Sequence, residues 1–408
     1  MKGYKLLFLL LIFAAPVFAQ PVAQPWWLSL EQGKHKFRSG DYGGALLSFE
    51  DARRDRRAMY EQLERDFIHL LSVGEVRRIG DALDWVERYS YERNYIAASA
   101  ALRELYYRIP KTSLNNSANA ALEAFDKLKN YPEAEYWIGE VYRVEGELSL
   151  ALSQFRKAYA VRELFEDTGF GTELQYKISS VLLTRQEYNE MIRVLQSIIN
   201  DYDTLWINAA KAETSRMEVV NADSEGKDTS SIPYAQASAS FASLAMTRTL
   251  ETEGVGRFME LYRYNNRTVE QAHRRLGFYY AVSGRPSAQQ HLMFSFLIQN
   301  TTIIEEIMRR RRDFRLTDPE GKRDSRIQEL LVLMEEVKKS PILLSYIEET
   351  EYYKTVYYLG SSLYRNGKTS VARDFWNFLA SQPQAGEWYN RALGQLRNPH
   401  LDAVVEMP

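Results

Sequence analysis

The chain has no cysteine. That excludes disulfides and thiolate metal sites, and it leaves no residue to carry a lipid beside a signal cleavage point. Histidine is scarce: His35, His69, His273, His291 and His400 are the five, and no two are closely spaced in sequence. The sequence also lacks a His-Glu-x-x-His pair, a Gly-x-Ser-x-Gly elbow, a Gly-rich phosphate loop with its Lys and a dinucleotide fingerprint. Nothing here asks for catalysis, a metal or a cofactor. Glycine and proline are few, 21 and 12 of 408 residues, and with 45% hydrophobic and 26% charged positions the composition suits a folded helical chain. Charge of one sign is missing too. Lys and Arg number 52 against 54 Asp and Glu, so there is no electrostatic footprint for nucleic acid.

What is present begins at the N-terminus. Lys2 and Lys5 precede an apolar run from Leu6 to Ala15, followed by Pro16 and by Val17-Phe18-Ala19 before Gln20. This is the pattern of a secretory signal cut after Ala19, because the run is too short and too broken by Pro16 to span a bilayer. The expected mature chain is periplasmic or secreted, and its net charge moves from −2 to −4 when the two lysines leave.

A repeat runs through the rest. A small residue is followed by another twelve positions on, then by a large apolar residue four later and a small or apolar one three later. Gly33, Ala45, Phe49 and Ala52 fit, as do Gly139, Ala151, Phe155 and Ala158, and Gly360, Ala372, Trp376 and Leu379. Weaker copies follow Val86, Ala98, Leu102 and Leu105, and Ser179, Met191, Leu195 and Ile198. The spacing predicts pairs of antiparallel helices, with small residues where the helices cross and one buried stripe on the second helix. Gly40, Gly146 and Gly367, seven residues after the first small position, mark the turns. One copy is damaged. Leu276, Gly277, Tyr280 and Gly284 begin it, but Pro286 and Ala288 put its second helix one residue out of register.

These copies resemble tetratricopeptide repeats, whose unit of about 34 residues pairs a Trp/Leu/Gly/Tyr helix with an Ala/Phe/Ala helix and a terminal Pro. The best match is 132–165, with Ile138, Gly139, Tyr142, Gly146, Ala151, Phe155 and Ala158. The resemblance implies an all-α, right-handed superhelical solenoid of helix pairs without a sheet. It also implies a concave groove lined by first-helix residues off the buried stripe. Those positions are Trp27, Lys34, Phe37 and Arg38 in one copy and Tyr136, Glu140 and Arg143 in another, then Tyr176, then Tyr357, Tyr364 and Arg365. The function it implies is a non-catalytic scaffold holding a peptide or protein partner in the cell envelope, as in secretion, pilus, transporter or flagellar-motor assemblies. The alternative is a solute- or lipid-binding protein that uses the groove or a pocket between blocks.

The expected organisation is a signal at 1–19, a first block at 20–220, a hinge at 221–240 rich in Asp, Ser, Gly and Thr, a second block at 241–397 and a frayed tail at 398–408. Residues 60–78 should lengthen or follow the second helix of the first pair, and Glu387 to Arg397 should form a terminal helix. Arg309 to Arg312 and the run Arg53, Arg54, Arg56, Arg57 are basic clusters flanked by acids, which favours local ion pairing over a ligand site.

Overall fold

A computed structural model describes residues 25–73, 78–167, 169–204, 206, 245–316 and 327–400, with the backbone alone for 89–95. The signal at 1–19, the hinge at 221–240 and all but 398–400 of the tail lie outside the described residues. The described chain is all-helical and contains no strand. It divides into two compact units, one ending at Arg185 and one beginning at Gln186, ahead of the expected hinge.

The first unit holds α1 (Trp26–Arg38), α2 (Tyr42–Ser72), α3 (Ile79–Arg108), α4 (Lys111–Asn116), α5 (Ala118–Leu128), α6 (Pro132–Val144), α7 (Leu148–Ala160) and α8 (Phe170–Thr184). The pairs α1/α2 and α6/α7 are the two strong sequence copies. In each, the first helix stops the same way. Gly40 and Gly146 take φ 84°, and their amides and those of the next residues close back on Phe37 and Lys36 or on Arg143 and Tyr142. Such a left-handed cap satisfies the last carbonyls, and glycine adopts it without Cβ strain. The same closure ends two helices of the second unit, at Gly284 on Ala281 and Tyr280 and at Gly367 on Tyr364 and Leu363.

The crossing point is equally regular. A Cβ built on Gly33 would lie 2.4 Å from the Phe49 ring, one on Gly139 would lie 2.6 Å from Phe155, and one on Gly360 would meet the Trp376 indole at 3.0 Å. Gly139→Ala should therefore overpack the α6/α7 contact. Alanine's helix preference offers about 1 kcal/mol and the forced shift costs about 1–3 kcal/mol, so a net loss is expected by urea unfolding. Gly394 has open space around its would-be Cβ, so Gly394→Ala should be neutral or stabilising; like behaviour of the two variants would refute the close approach.

The long helix α2 carries one buried stripe, Ala45, Phe49, Ala52, Arg56, Tyr60, Leu63, Phe67 and Leu70, so residues beyond 60 lengthen it. Asp41 caps its start, accepting from Gly44 N at 2.9 Å. The expected pair built on Val86, Ala98, Leu102 and Leu105 does not form: 79–108 is one unbroken helix. Arg93 stands where the other copies have their turn glycine, and nothing between interrupts the helix.

The second unit holds α9 (Tyr188–Tyr202), α10 (Gly254–Leu261), α11 (Arg267–Val282), α12 (Ala288–Arg310), α13 (Gln328–Lys338), α14 (Pro341–Glu349), α15 (Tyr352–Arg365), α16 (Thr369–Ala380) and α17 (Glu387–Arg397). The damaged copy pairs after all as α11/α12. A Cβ built on Gly277 would lie 2.7 Å from the Leu292 side chain, one position earlier than the Phe of the intact copies, so the whole second helix has shifted by one residue. Around the α12 side chains the contact is polar: Glu270 accepts from Ser295 Oγ and Gln299 Nε2, both at 2.8 Å, and from Arg274 Nε at 3.2 Å. The terminal helix α17 spans the expected residues, and its Trp388 packs on Tyr357 and Tyr358. The Arg309–Arg312 cluster is mostly absorbed by pairing: Arg309 and Arg310 bind Glu306, and Arg311 binds Glu336.

Candidate functional site

The groove positions read from the sequence fall in different environments. On α1, Trp27 is 36% exposed, Lys34 pairs with Glu31 at 2.7 Å, and Arg38 is exposed. Phe37 turns toward α6, its ring 5.3 Å from Trp137 and 5.4 Å from Tyr42. On α6, Arg143 is held by a two-pronged contact to Glu140 at 2.8 and 3.1 Å, and that buried carboxylate also receives Lys177. Tyr136 and Trp137 are edge to face, so Phe37 and Tyr136 meet across Trp137. Tyr176 on α8 is half-buried.

Besides the buried Glu140, two more of the positions are not surface residues. Tyr136 is 7% exposed, between the Phe155 and Phe170 rings at 5.8 and 4.7 Å, because the chain after α7 folds Phe170 onto it. Tyr357 is 1% exposed; its ring lies 5.4 Å from Trp388 and its hydroxyl receives Gln395 Nε2 at 3.1 Å. The terminal helix α17 covers the face that a further repeat would leave open. Tyr364 rests on the Trp376 ring at 5.6 Å, and Arg365 donates to the Ala281 carbonyl at 3.2 Å. These contacts make Arg365 a brace between α11 and α15.

What the first unit does present is a cleft of about 590 Å³. The start of α1, the end of α3, the loop before α6 and the residues after α7 enclose it. Trp26, Trp27, Tyr107, Tyr131 and Phe165 supply aromatic lining, and Arg56, Arg103, Arg108, Glu104, Glu133, Glu163 and Glu166 supply charge. Of the positions expected from sequence, only Trp27 lines it.

Arg56 is the anchor of this cleft. It is 3% exposed. Its Nη1 and Nη2 donate to the two Glu104 oxygens at 2.8 Å each, and Nε donates to the Leu128 and Asn130 carbonyls at 3.0 and 2.9 Å. The guanidinium lies 4.8 Å from the Tyr131 ring centre and 5.8 Å from that of Trp26. Burial would raise the Glu104 pKa, but the Arg56 hydrogen bonds outweigh it and hold the carboxyl below its ordinary value. Tyr60 adds a hydroxyl bond to Glu104 at 3.0 Å, and burial pushes that hydroxyl's pKa far up. Arg108 also binds Glu104 and donates to the Glu163 and Leu164 carbonyls, fixing the segment after α7 against α3. The signal for Arg56 was in the sequence: it stands four residues past Ala52 and seven past Phe49, on the stripe and not among the solvated arginines beside it.

In the second unit two histidines far apart in sequence meet. His273 Nδ1 and His291 Nδ1 are 3.0 Å apart, and His273 Nε2 is 2.8 Å from Asp203 Oδ2. Asp203 also accepts from Trp206 N and from the Tyr264 hydroxyl. With Nε2–H donated to Asp203, one proton is left to share between the facing Nδ1 atoms, and both rings are buried. Trp206 stacks on His291 and Phe294 on His273.

No family model matches the chain. A Treponema pallidum (strain Nichols) protein described as uncharacterized is 22% identical over 375 residues, which cover 91% of this chain and 89% of that one.

Proposed function

We propose that the chain is an exported, non-catalytic scaffold of the tetratricopeptide type, a solenoid of helix pairs that holds a peptide or protein partner in the cell envelope. The observation that carries this is the recurrence of one helix-pair geometry in both units, with the same glycine cap and the same small-on-large crossing contact. Repeats of this kind cannot bury their hydrophobic face alone, and stacking them leaves extended surfaces suited to partner binding. The contact surface is the aromatic cleft of the first unit, with Trp27 and Tyr107 as its most accessible rings. Trp, Tyr and Arg are the residue types that dominate binding energy at interfaces. The cleft's volume also falls in the range of small-ligand pockets, which favours a solute-binding reading as the second choice; its many charges disfavour lipid.

Cross-linked capture of the full-length protein from its native envelope discriminates the two. A protein recovered reproducibly with the wild type and lost with Trp27→Ala plus Tyr107→Ala supports the scaffold. A small molecule that co-purifies with the wild type in place of any protein would transfer the site to solute binding.

A further inference from the structure

We propose that the cleft of the first unit receives a basic side chain, lysine or arginine, from a protein partner, with Glu133 as the carboxylate that meets it. The inference rests on the scaffold reading and adds the chemistry of what is held.

The charges lining the cleft are unequally spent. Arg56 and Arg108 are committed to Glu104 and to main-chain carbonyls, and Glu163 is paired with Lys127 at 2.9 Å. Glu133 is different. Its side chain accepts from the Glu166 amide at 3.0 Å, and among the described residues no lysine or arginine forms an ion pair with it. Burial raises its pKa above the ordinary carboxylate range; backbone hydrogen bonds and the more distant Arg56 offset part of that, while Glu166 adds to it. A desolvated carboxylate without a cation is costly, and a partner's ammonium or guanidinium would relieve that cost. The surrounding rings favour the same occupant, since tryptophan and tyrosine faces attract cations, and the cleft already holds one guanidinium against Tyr131. Arg103 is the opposing lining charge. It is exposed and bound to Ser99 Oγ at 3.3 Å, so solvent screens it more than the half-buried Glu133.

The test uses the full chain and four short Gly/Ser peptides identical except at two guest positions, which carry lysine, arginine, norleucine or glutamate. Affinities are read by calorimetry and by tryptophan fluorescence. The lysine and arginine peptides should bind at least about tenfold more tightly than the other two, Glu133→Gln should remove about tenfold of that, and exposed Glu166→Gln a smaller part. Arg103→Ala removes the opposing lining charge and should tighten binding of the lysine and arginine peptides. Equal binding of the norleucine peptide, preference for the glutamate peptide, no binding of any peptide by the wild type, or full affinity in the Glu133→Gln and Glu166→Gln variants would overturn the proposal. Butylamine and butylguanidinium binding as well as the peptides would overturn the protein-borne part. Thermal melts of each variant separate loss of binding from loss of fold, and Glu166→Gln keeps the test open if Glu133→Gln unfolds. An envelope partner still captured by Glu133→Gln would sink this inference and leave the scaffold standing; no partner for the wild type would sink the scaffold itself.

Discussion

Arg56→Ala is expected to destabilise the first unit by about 3–5 kcal/mol, the range found when one member of a buried ion pair is removed. The substitution strips Glu104 of its two-pronged partner, leaves the Leu128 and Asn130 carbonyls without their donor, and opens space between Trp26, Tyr60 and Tyr131. Glu104 keeps Tyr60 and Arg108, and its side chain is one-fifth exposed, which places the expected loss at the lower end of that range. Urea unfolding followed by tryptophan emission reports it, since Trp26 lies beside the guanidinium. The double change Arg56→Met with Glu104→Leu should recover most of the loss, because well-packed apolar residues replace a buried pair at little cost. A single variant that costs less than about 1 kcal/mol would show that the pair behaves as a solvated surface contact.

Acid should weaken the second unit through His291. Burial, and then the neighbouring His273, hold its pKa well below the ordinary value near 6.5. Below that ordinary value the unfolded chain takes up a proton that the folded chain refuses. Stability conferred by the neutral ring is therefore complete above about pH 6.5 and falls as pH drops toward the folded pKa, by up to about 1.4 kcal/mol per pH unit. The groups facing the ring are His273, Trp206, Tyr280 and Phe294, with Asp203 and Tyr264 behind His273 and Arg285 over the Tyr280 ring. None of these supplies a carboxylate to His291 itself. His291→Asn keeps a donor for His273 Nδ1 and removes the titration, so its denaturant midpoint should fall less between pH 6.5 and pH 5 than that of the wild type. Equal slopes in the two proteins would mean that His291 is protonated in the fold.

Both effects sit where sequence reasoning was weakest. The basic run at 53–57 reads as a solvated face, and for Arg54 and Arg57, paired with Asp51, Asp55 and Glu61, it is one. Arg56 differs only by its angular place on α2, and its partners lie 48 to 74 positions away in sequence. His273 and His291 are separated by 18 residues and joined only because α11 and α12 run antiparallel.

The groove expectation failed at Tyr136 and Tyr357 for a related reason. Off-stripe residues of a first helix face solvent only where nothing further covers them. Phe170 covers Tyr136, and α17 covers Tyr357. In sequence the long α3 and the short helices α4 and α5 separate the α1/α2 and α6/α7 pairs, and the end of α3 joins α1, α2 and the start of α6 in lining the cleft, so part of its wall carries no repeat signature.

Except at 79–108, where one helix replaced an expected pair, the turn glycines and the small-on-large crossings of the Gly33, Gly139 and Gly360 copies were legible in the sequence by itself, because these depend on residues within a span of about 34 positions, where helical period and glycine's left-handed freedom operate directly. Even the register slip at Ala288 was legible in that way. Only the tertiary structure decided which side chains converge. The Arg56–Glu104 pair, the Glu133 carboxylate in its aromatic cleft and the contact of His273 with His291 arise from helices brought together across long stretches of chain. No local spacing encodes such meetings, because they depend on how whole helices pack.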